Sequence, residues 1–352
     1  MTYLPLIVRL LRCFMRKQRD RKELPMELRK PDFYDTFHCI AACCPDSCCK
    51  EWDVAVDAQK AALYRGLPGA LGEKLREFLQ DEDGDTYLTL DNGRCPMWRA
   101  DGLCRIQAEL GEHALCNTCR DFPRLRHDYG SFTELGLELS CPESARILLS
   151  REGWNWVSQG KAEEKTDYDQ RDMDLLLKTR QTAMDLVTGA EEPLSALLLY
   201  TYHAQAILDG EEEAPFDLSA AMETAGDLAG PGDREAFLKV FRDLEILTEP
   251  WRKRLALPSP RPLQKEDRAL LRYLISRYWL QAISDFDLVC RGKLIVSLAL
   301  LCRILGGDAV QTAQLMSKEI ENDAENIDAL LDGRSEEHTS ELQSRVDISY
   351  AV

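Results

Sequence analysis

The chain has 352 residues, 45% of them hydrophobic and 30% charged, a globular composition with length for two domains and a core that needs no covalent staple. A formal net charge of −17 argues against nucleic acid as the partner, because that binding is dominated by cations meeting phosphates. Thirteen cysteines are then a surplus that asks for chemistry.

In chain order, the first thirty residues are basic, about +6, with Arg9, Arg12, Arg16, Lys17, Arg19, Arg21, Lys22, Arg29 and Lys30 against Asp20, Glu23 and Glu27. Residues 1–30 read as a leader that lies on an anionic membrane surface, or as an upstream extension of a chain whose native start is Met26. The apolar run Tyr3 to Val8 is broken by Arg9 and Arg12 and has no small-residue cleavage site, so a cytoplasmic location is expected. In that reducing compartment dense cysteines imply metal binding or catalysis rather than disulfides.

Residues 31–150 hold ten of the cysteines, five of them within Cys39-Ile-Ala-Ala-Cys-Cys-Pro-Asp-Ser-Cys-Cys49. The glycine-rich stretch Gly66 to Gly72 reads as a turn into a helix from about Ala70 to Leu79. Thr86 to Leu90, then Asp91-Asn-Gly93, then Arg94 to Trp98 reads as a strand, a turn and an extended segment, a short β-hairpin that puts Cys95 just after the turn. Leu103, Ile106 and Leu110 carry the spacing of a short helix closed by Gly111, with Cys104 in its first turn. Ser140-Cys-Pro-Glu143 reads as a capping box that puts Cys141 at a helix N-terminus, where the dipole favours a thiolate.

Residues 151–166 read as a polar linker, and 167–333 as an all-helical domain with apolar faces at 173–186, 194–208, 236–247, 270–283 and 288–305. The run Leu294 to Cys302 is far short of the ~20 residues of a bilayer span and reads as a buried helix, with Cys290 and Cys302 packing as small hydrophobes. Tyr200, Tyr202, Tyr273, Tyr278 and Trp279 read as core. Residues 334–352, opening Arg334-Ser-Glu-Glu-His-Thr-Ser-Glu-Leu-Gln343, look like a translated sequencing adaptor, so His338 is not taken as a ligand or base. The expected fold class is mainly α, with a Cys-rich metal-binding N-terminal region.

By spacing, the thiols fall into Cys39-x4-Cys44-x3-Cys48-Cys49, Cys95-x8-Cys104 and Cys116-x2-Cys119 with Cys141 further on. Only Cys116-Asn-Thr-Cys119 has the two-residue gap shared by zinc ribbons and iron–sulfur sites, so spacing leaves the metal open.

Pro31-Asp-Phe-Tyr-Asp-Thr-Phe-His-Cys39 through Cys48-Cys-Lys-Glu-Trp52, then Gly102-Leu-Cys-Arg-Ile-Gln-Ala-Glu-Leu-Gly111, Cys119-Arg-Asp-Phe-Pro-Arg124 and Leu139-Ser-Cys-Pro-Glu-Ser-Ala-Arg146 resemble the successive motifs of the flagellin lysine-N-methylase family. The resemblance implies N-methylation of surface lysines on flagellin, with S-adenosylmethionine as donor and a cysteine-bound iron–sulfur cluster, expected as 4Fe-4S. It implies Cys39, Cys44, Cys48, Cys49, Cys95, Cys104, Cys116, Cys119 and Cys141 as metal ligands, with Cys43 beside the pattern. The alternative is a non-enzymatic zinc- or iron-binding module, or one stapled by zinc for interaction.

Methyl transfer needs an uncharged amine, whereas a free lysine of pKa ~10.4 is protonated at neutral pH, so the site must desolvate it or supply a base. Tyr34, Asp35 and Asp46 lie near the cysteines in sequence, but none is singled out as the base. No strand is followed by Gly-x-Gly-x-x-Gly, so no common adenosyl-binding fingerprint is present. The open iron of a cluster is one place where the donor's amino and carboxylate groups could sit.

Overall fold

The computed structural model describes residues 27–160, 166–211, 214–228 and 233–332. The leader up to residue 26, with its expected membrane contact, and the adaptor-like tail lie outside the described residues.

Among the described residues seven short strands all precede residue 160. β1 (Glu27–Pro31), β5 (Arg124–Asp128), β6 (Phe132–Leu137) and β7 (Trp156–Gln159) form one sheet in the order β5-β6-β1-β7, in which β1 runs parallel to β6 and antiparallel to β7. β2 (Val54–Val56), β3 (Leu79–Glu82) and β4 (Asp85–Leu88) form a second sheet in the order β2-β4-β3. The hairpin is therefore β3–β4, turning at Asp83 (φ 50°) and Gly84 (φ 92°). The expected Asn92-Gly93 turn is also present, with both residues at positive φ (51° and 77°) and Asp91 and Arg94 exchanging backbone hydrogen bonds, but it closes a single bridge beyond β4.

Helices α1 (Ala58–Gly66), α2 (Gly69–Phe78), α3 (Arg105–Leu110), α4 (Asn117–Asp121) and α5 (Pro142–Leu149) lie among these strands. Among the described residues from 170 onward every regular element is helical: α6 (Gln170–Gly189), α7 (Pro193–Leu208), α8 (Leu218–Leu228), α9 (Arg234–Arg242), α10 (Glu249–Ala256), α11 (Lys265–Tyr278), α12 (Leu288–Leu305), α13 (Ala309–Met316) and α14 (Ala324–Asp332). A π-helical turn, Ser317–Glu321, continues α13 with all five residues buried. α12 is buried on every side except at Val289 and Lys293, as its unbroken apolar run requires. It crosses α7 so closely that a Cβ on Gly292 would stand 2.2 Å from Thr201 Cγ2. Among the described residues no helix is long and apolar enough to cross a membrane.

Two cores form. The smaller contains Val54, Tyr64, Leu75, Met97, Ile106, Cys95 and Cys116. The larger joins helices α6, α7 and α9 to α14 to Phe33, Phe37, Phe132, Leu139 and α5 from the N-terminal part. A buried bidentate pair fastens the first sheet to α6, Glu134 on β6 accepting from both terminal nitrogens of Arg180 at 2.7 Å.

Against this junction His127 is held neutral, its pKa lowered to about 4 by burial and by the charge of Arg277, with Nε2 buried and unpartnered. A histidine depressed in the folded state adds stability that is complete above its unfolded value near 6.5 and is lost as pH falls from there towards 4. The expected loss across that window is about 3 kcal/mol. Urea unfolding at pH 7 and pH 4.5 should show it in wild type and not in His127→Gln. The matched variant is needed because Glu138, its pKa raised by burial, works in the opposite direction.

Candidate metal centre and the adjoining cleft

Backbone hydrogen bonds, rather than regular secondary structure, gather the thiols. Cys48 to Glu51 runs antiparallel to Gly93–Cys95, with Cys95 N donating to Cys49 O at 2.8 Å and Glu51 N to Gly93 O at 3.1 Å. The next segment folds back so that Trp98 bridges Cys104 and Arg105 N donates to Met97 O at 2.7 Å. The Cys116-x2-Cys119 turn is pinned from below: Asp57, which caps α1, accepts from Asn117 N at 2.9 Å, Thr118 Oγ1 donates to Ala55 O at 2.7 Å, and Tyr64 OH donates to Ala114 O at 2.7 Å. At the rim Trp52 packs on Phe122, ring centroids 6.4 Å apart.

Six thiols from four segments interact electrostatically here. Cys49 hydrogen-bonds to both Cys48 and Cys95, and Cys116 to Cys119. Cys104 feels the charges of Cys48 and Cys116, and Cys119 those of Cys48 and Cys49. Their acidities split accordingly. Donation from Cys49 lowers Cys95, and donation from Cys119 lowers Cys116 to about 7. Cys48 is raised by its bond to Cys49 and then by burial, Cys119 by its bond to Cys116 and then by burial, and Cys104 chiefly by burial. Cys49 is pulled down by Cys48 but pushed further up, to about 12, by Cys95, burial and the neighbouring sulfurs. One thiolate thus keeps its neighbour protonated, a mutual penalty that a bound cation removes.

Cys39, Cys44 and Cys141 form a second electrostatically coupled set. Cys141 is raised to about 11, first by burial, while Glu143 and Ser144 N–H groups pull the other way. Cys43 is exposed at the end of a 3₁₀ turn, and Cys290 and Cys302 are buried in helix α12. Among the described residues all cysteines are free thiols, and no group of three or more His, Cys, Asp or Glu side chains stands in an arrangement that could hold a metal ion.

The expected capping box at Ser140 does not form. Cys141 is itself the N-cap of α5, with Pro142 in the first turn; Cys104 caps α3 rather than sitting inside it, and Cys116 caps α4. At all three, the backbone of the first turn favours the thiolate, as a helix N-terminus does, although none of the three sulfurs makes a capping hydrogen bond.

Beside the cysteine loop lies a cleft of about 580 Å³ between Pro45–Glu51, Pro142 and the helical region. Its wall is Lys318 from the π turn, 1% exposed, which reaches Asp46 Oδ2 at 2.9 Å and Glu51 Oε2 at 2.5 Å and stands 5.2 Å over the Trp52 ring. Lys50 also pairs with Asp46 (2.7 Å). Burial opposes the charge on Asp46, yet these lysines hold its carboxyl below the ordinary range. Gln314 on α13 ties the cysteine loop to the helices, donating to Ser140 O at 2.7 Å and to Asp46 Oδ2 at 3.3 Å. Of the acid–base candidates, Asp46 lies in the cleft, whereas Asp35 pairs with Lys30 and Tyr34 packs on the larger core. Lys318, Gln314 and Arg254, which also lines the cleft, were missed from sequence; a lysine between Met316-Ser and Glu-Ile320 looks like any solvated helix charge.

No family model and no solved structure matches the chain. Over 130 residues it is 34% identical to the lysine-N-methylases of Salmonella typhimurium and Salmonella choleraesuis, an alignment covering 34% of this chain and 32% of each relative. It is 35% identical, also over 130 residues, to the flagellar biosynthetic protein FliU of Salmonella muenchen, covering 34% of this chain and 75% of FliU. The chain belongs to the FliU and lysine-N-methylase family. It spans about a third of the length of the two lysine-N-methylases it matches. In this member of the FliU and lysine-N-methylase family the six thiols and the cleft adjoin, with Glu51 two residues past Cys49 and Pro45 next to Cys44.

Proposed function

We propose that the chain is a cytoplasmic protein-lysine N-methyltransferase acting on flagellin, with S-adenosylmethionine as donor and a 4Fe-4S cluster held by the six thiols. The observation that carries the metal part is the mutual electrostatic influence of Cys48, Cys49, Cys95, Cys104, Cys116 and Cys119, which come from four separate segments. Their mutual suppression of ionisation and the placing of Cys104 and Cys116 at helix N-termini suit a thiolate-bound cation. Cys39, Cys44 and Cys141 are the further ligand candidates. When bound, the cluster supplies Lewis-acidic iron and ties together segments that otherwise share few regular contacts. The relatives named lysine-N-methylase and FliU support the methyl-transfer and flagellar parts.

The chain's own residues prepare the amine. Asp46 and Glu51, paired with Lys50 and Lys318, line the cleft where a substrate ammonium would enter. Asp46 is too acidic to be a strong base, so it orients the amine rather than deprotonating it. Once the proton has gone to solvent, the nitrogen lone pair forms the N–C bond. The electron pair of the breaking S–C bond stays on sulfur, giving a thioether and a methylated ammonium.

The test is anaerobic purification of the full chain, assay of iron, sulfide and zinc, and transfer of labelled methyl from S-adenosylmethionine to flagellin. Iron and sulfide in near-equal amounts with label on lysine is the expected result. Zinc alone with no label would leave a zinc-stapled interaction module in place of the enzyme.

A further inference from the structure

Arg254 on helix α10 lines the cleft with its charge unneutralised. Its Nη1 donates to Gly306 O at 3.2 Å and to Thr312 Oγ1 at 2.9 Å, and its Nη2 to Gln311 Oε1 at 2.9 Å. All three acceptors are neutral, and among the described residues no carboxylate lies within ion-pair distance of it. The other charges in the cleft are committed elsewhere: Asp46 and Glu51 to Lys50 and Lys318, and Asp308 to capping α13 by accepting from Gln311 N at 2.8 Å.

The backbone is shaped to admit this guanidinium. Gly307 has φ 73°, and a Cβ there would stand 2.6 Å from Arg254 Nη1. Gly306 has φ 68°, and a Cβ there would stand 1.8 Å from Ser259 O. Side chains at either position would close the seat or strain the turn. Of the five N–H groups, two on Nη1 and one on Nη2 are spent, which leaves Nε–H and the second Nη2–H. Two N–H groups of a guanidinium are what a carboxylate binds.

We propose that this cleft is the binding site of the methyl donor, whose α-carboxylate is gripped by the free N–H groups of Arg254. The volume, about 580 Å³, is that of a small-molecule site. The assignment rests on the methylase reading and gives the donor a protein anchor rather than an iron one.

The probe is S-adenosylhomocysteine, the unreactive product, against the analogue that lacks the α-carboxylate, both measured by calorimetry on the full chain with its metal. Wild type should bind the decarboxylated analogue about 10- to 100-fold more weakly, the range for hydrogen bonds to charged groups. Arg254→Met should lose a similar factor for S-adenosylhomocysteine and show no preference between the two ligands, with Arg254→Lys in between. The comparison of ligands on wild type stands even where a variant does not fold. Equal binding of the two ligands by wild type, or unchanged S-adenosylhomocysteine affinity in a folded Arg254→Met, would overturn the site while methyl transfer by wild type keeps the methylase reading. A wild-type protein that neither binds S-adenosylhomocysteine nor transfers methyl would remove both.

Discussion

Alanine at both Cys48 and Cys49 is expected to leave the purified protein without iron or zinc and to reduce methyl transfer to background. Cys49 is the hub of the six thiols: it interacts with both Cys48 and Cys95, and its carbonyl accepts from Cys95 N at 2.8 Å. The double change removes two sulfurs and breaks the link to a third. Altering only a partner of a ligand typically costs 10–100-fold in metal affinity, so losing two ligands should exceed about 100-fold. Metal analysis of the double variant beside Cys43→Ala and Cys290→Ala decides the matter, since Cys43 is exposed on its own turn and Cys290 lies in helix α12. Both controls should keep wild-type metal. A full metal complement in the double variant would move the centre away from these residues.

The second large effect is on stability. Glu321, at the end of the π turn, is buried and receives four groups: Arg277 Nε pairs with it at 3.2 Å, Tyr278 OH donates at 2.9 Å and Tyr273 OH at 3.1 Å, while Arg277 Nη2 reaches its carbonyl at 3.4 Å. Glu321→Ala leaves the Arg277 guanidinium buried without its main counter-charge and two tyrosine hydroxyls without an acceptor. Breaking one side of a buried pair in this way costs about 3–5 kcal/mol, a large share of a domain's total stability. Urea unfolding of matched, equally metallated wild type and Glu321→Ala should show that loss as a lower midpoint. A change below about 1 kcal/mol would mean that water or Glu138 replaces Glu321 beside Arg277.

These two predictions draw on different kinds of information. The cysteine spacings, the helical periodicity from residue 170 onward, the helix at Gly69–Phe78 and the Asn92-Gly93 turn were legible in the sequence. Each is a local signal: a turn needs residues that tolerate positive φ, and an amphipathic or buried helix must repeat its apolar positions every 3.6 residues. The β3–β4 hairpin at Asp83-Gly84 was missed because Leu79–Glu82 is mostly exposed and lacks an apolar alternation. β1 gave no hint of its parallel partner β6, about a hundred residues away, because register between distant strands is set by what else packs on the sheet.

The site divides in the same way. Sequence alone determined that thiols are concentrated between Cys39 and Cys141 in a chain that does not need them for packing. Tertiary structure decided that six of them influence one another, with Cys39 and Cys141 grouped around Cys44, which also feels Cys48. It also decided that Lys318 and Arg254 stand in the same cleft as Asp46. A lysine, an arginine and an aspartate carry no mark of one another in sequence. Burial and loop geometry bring them within reach, and only the removal of water between them makes their charges count.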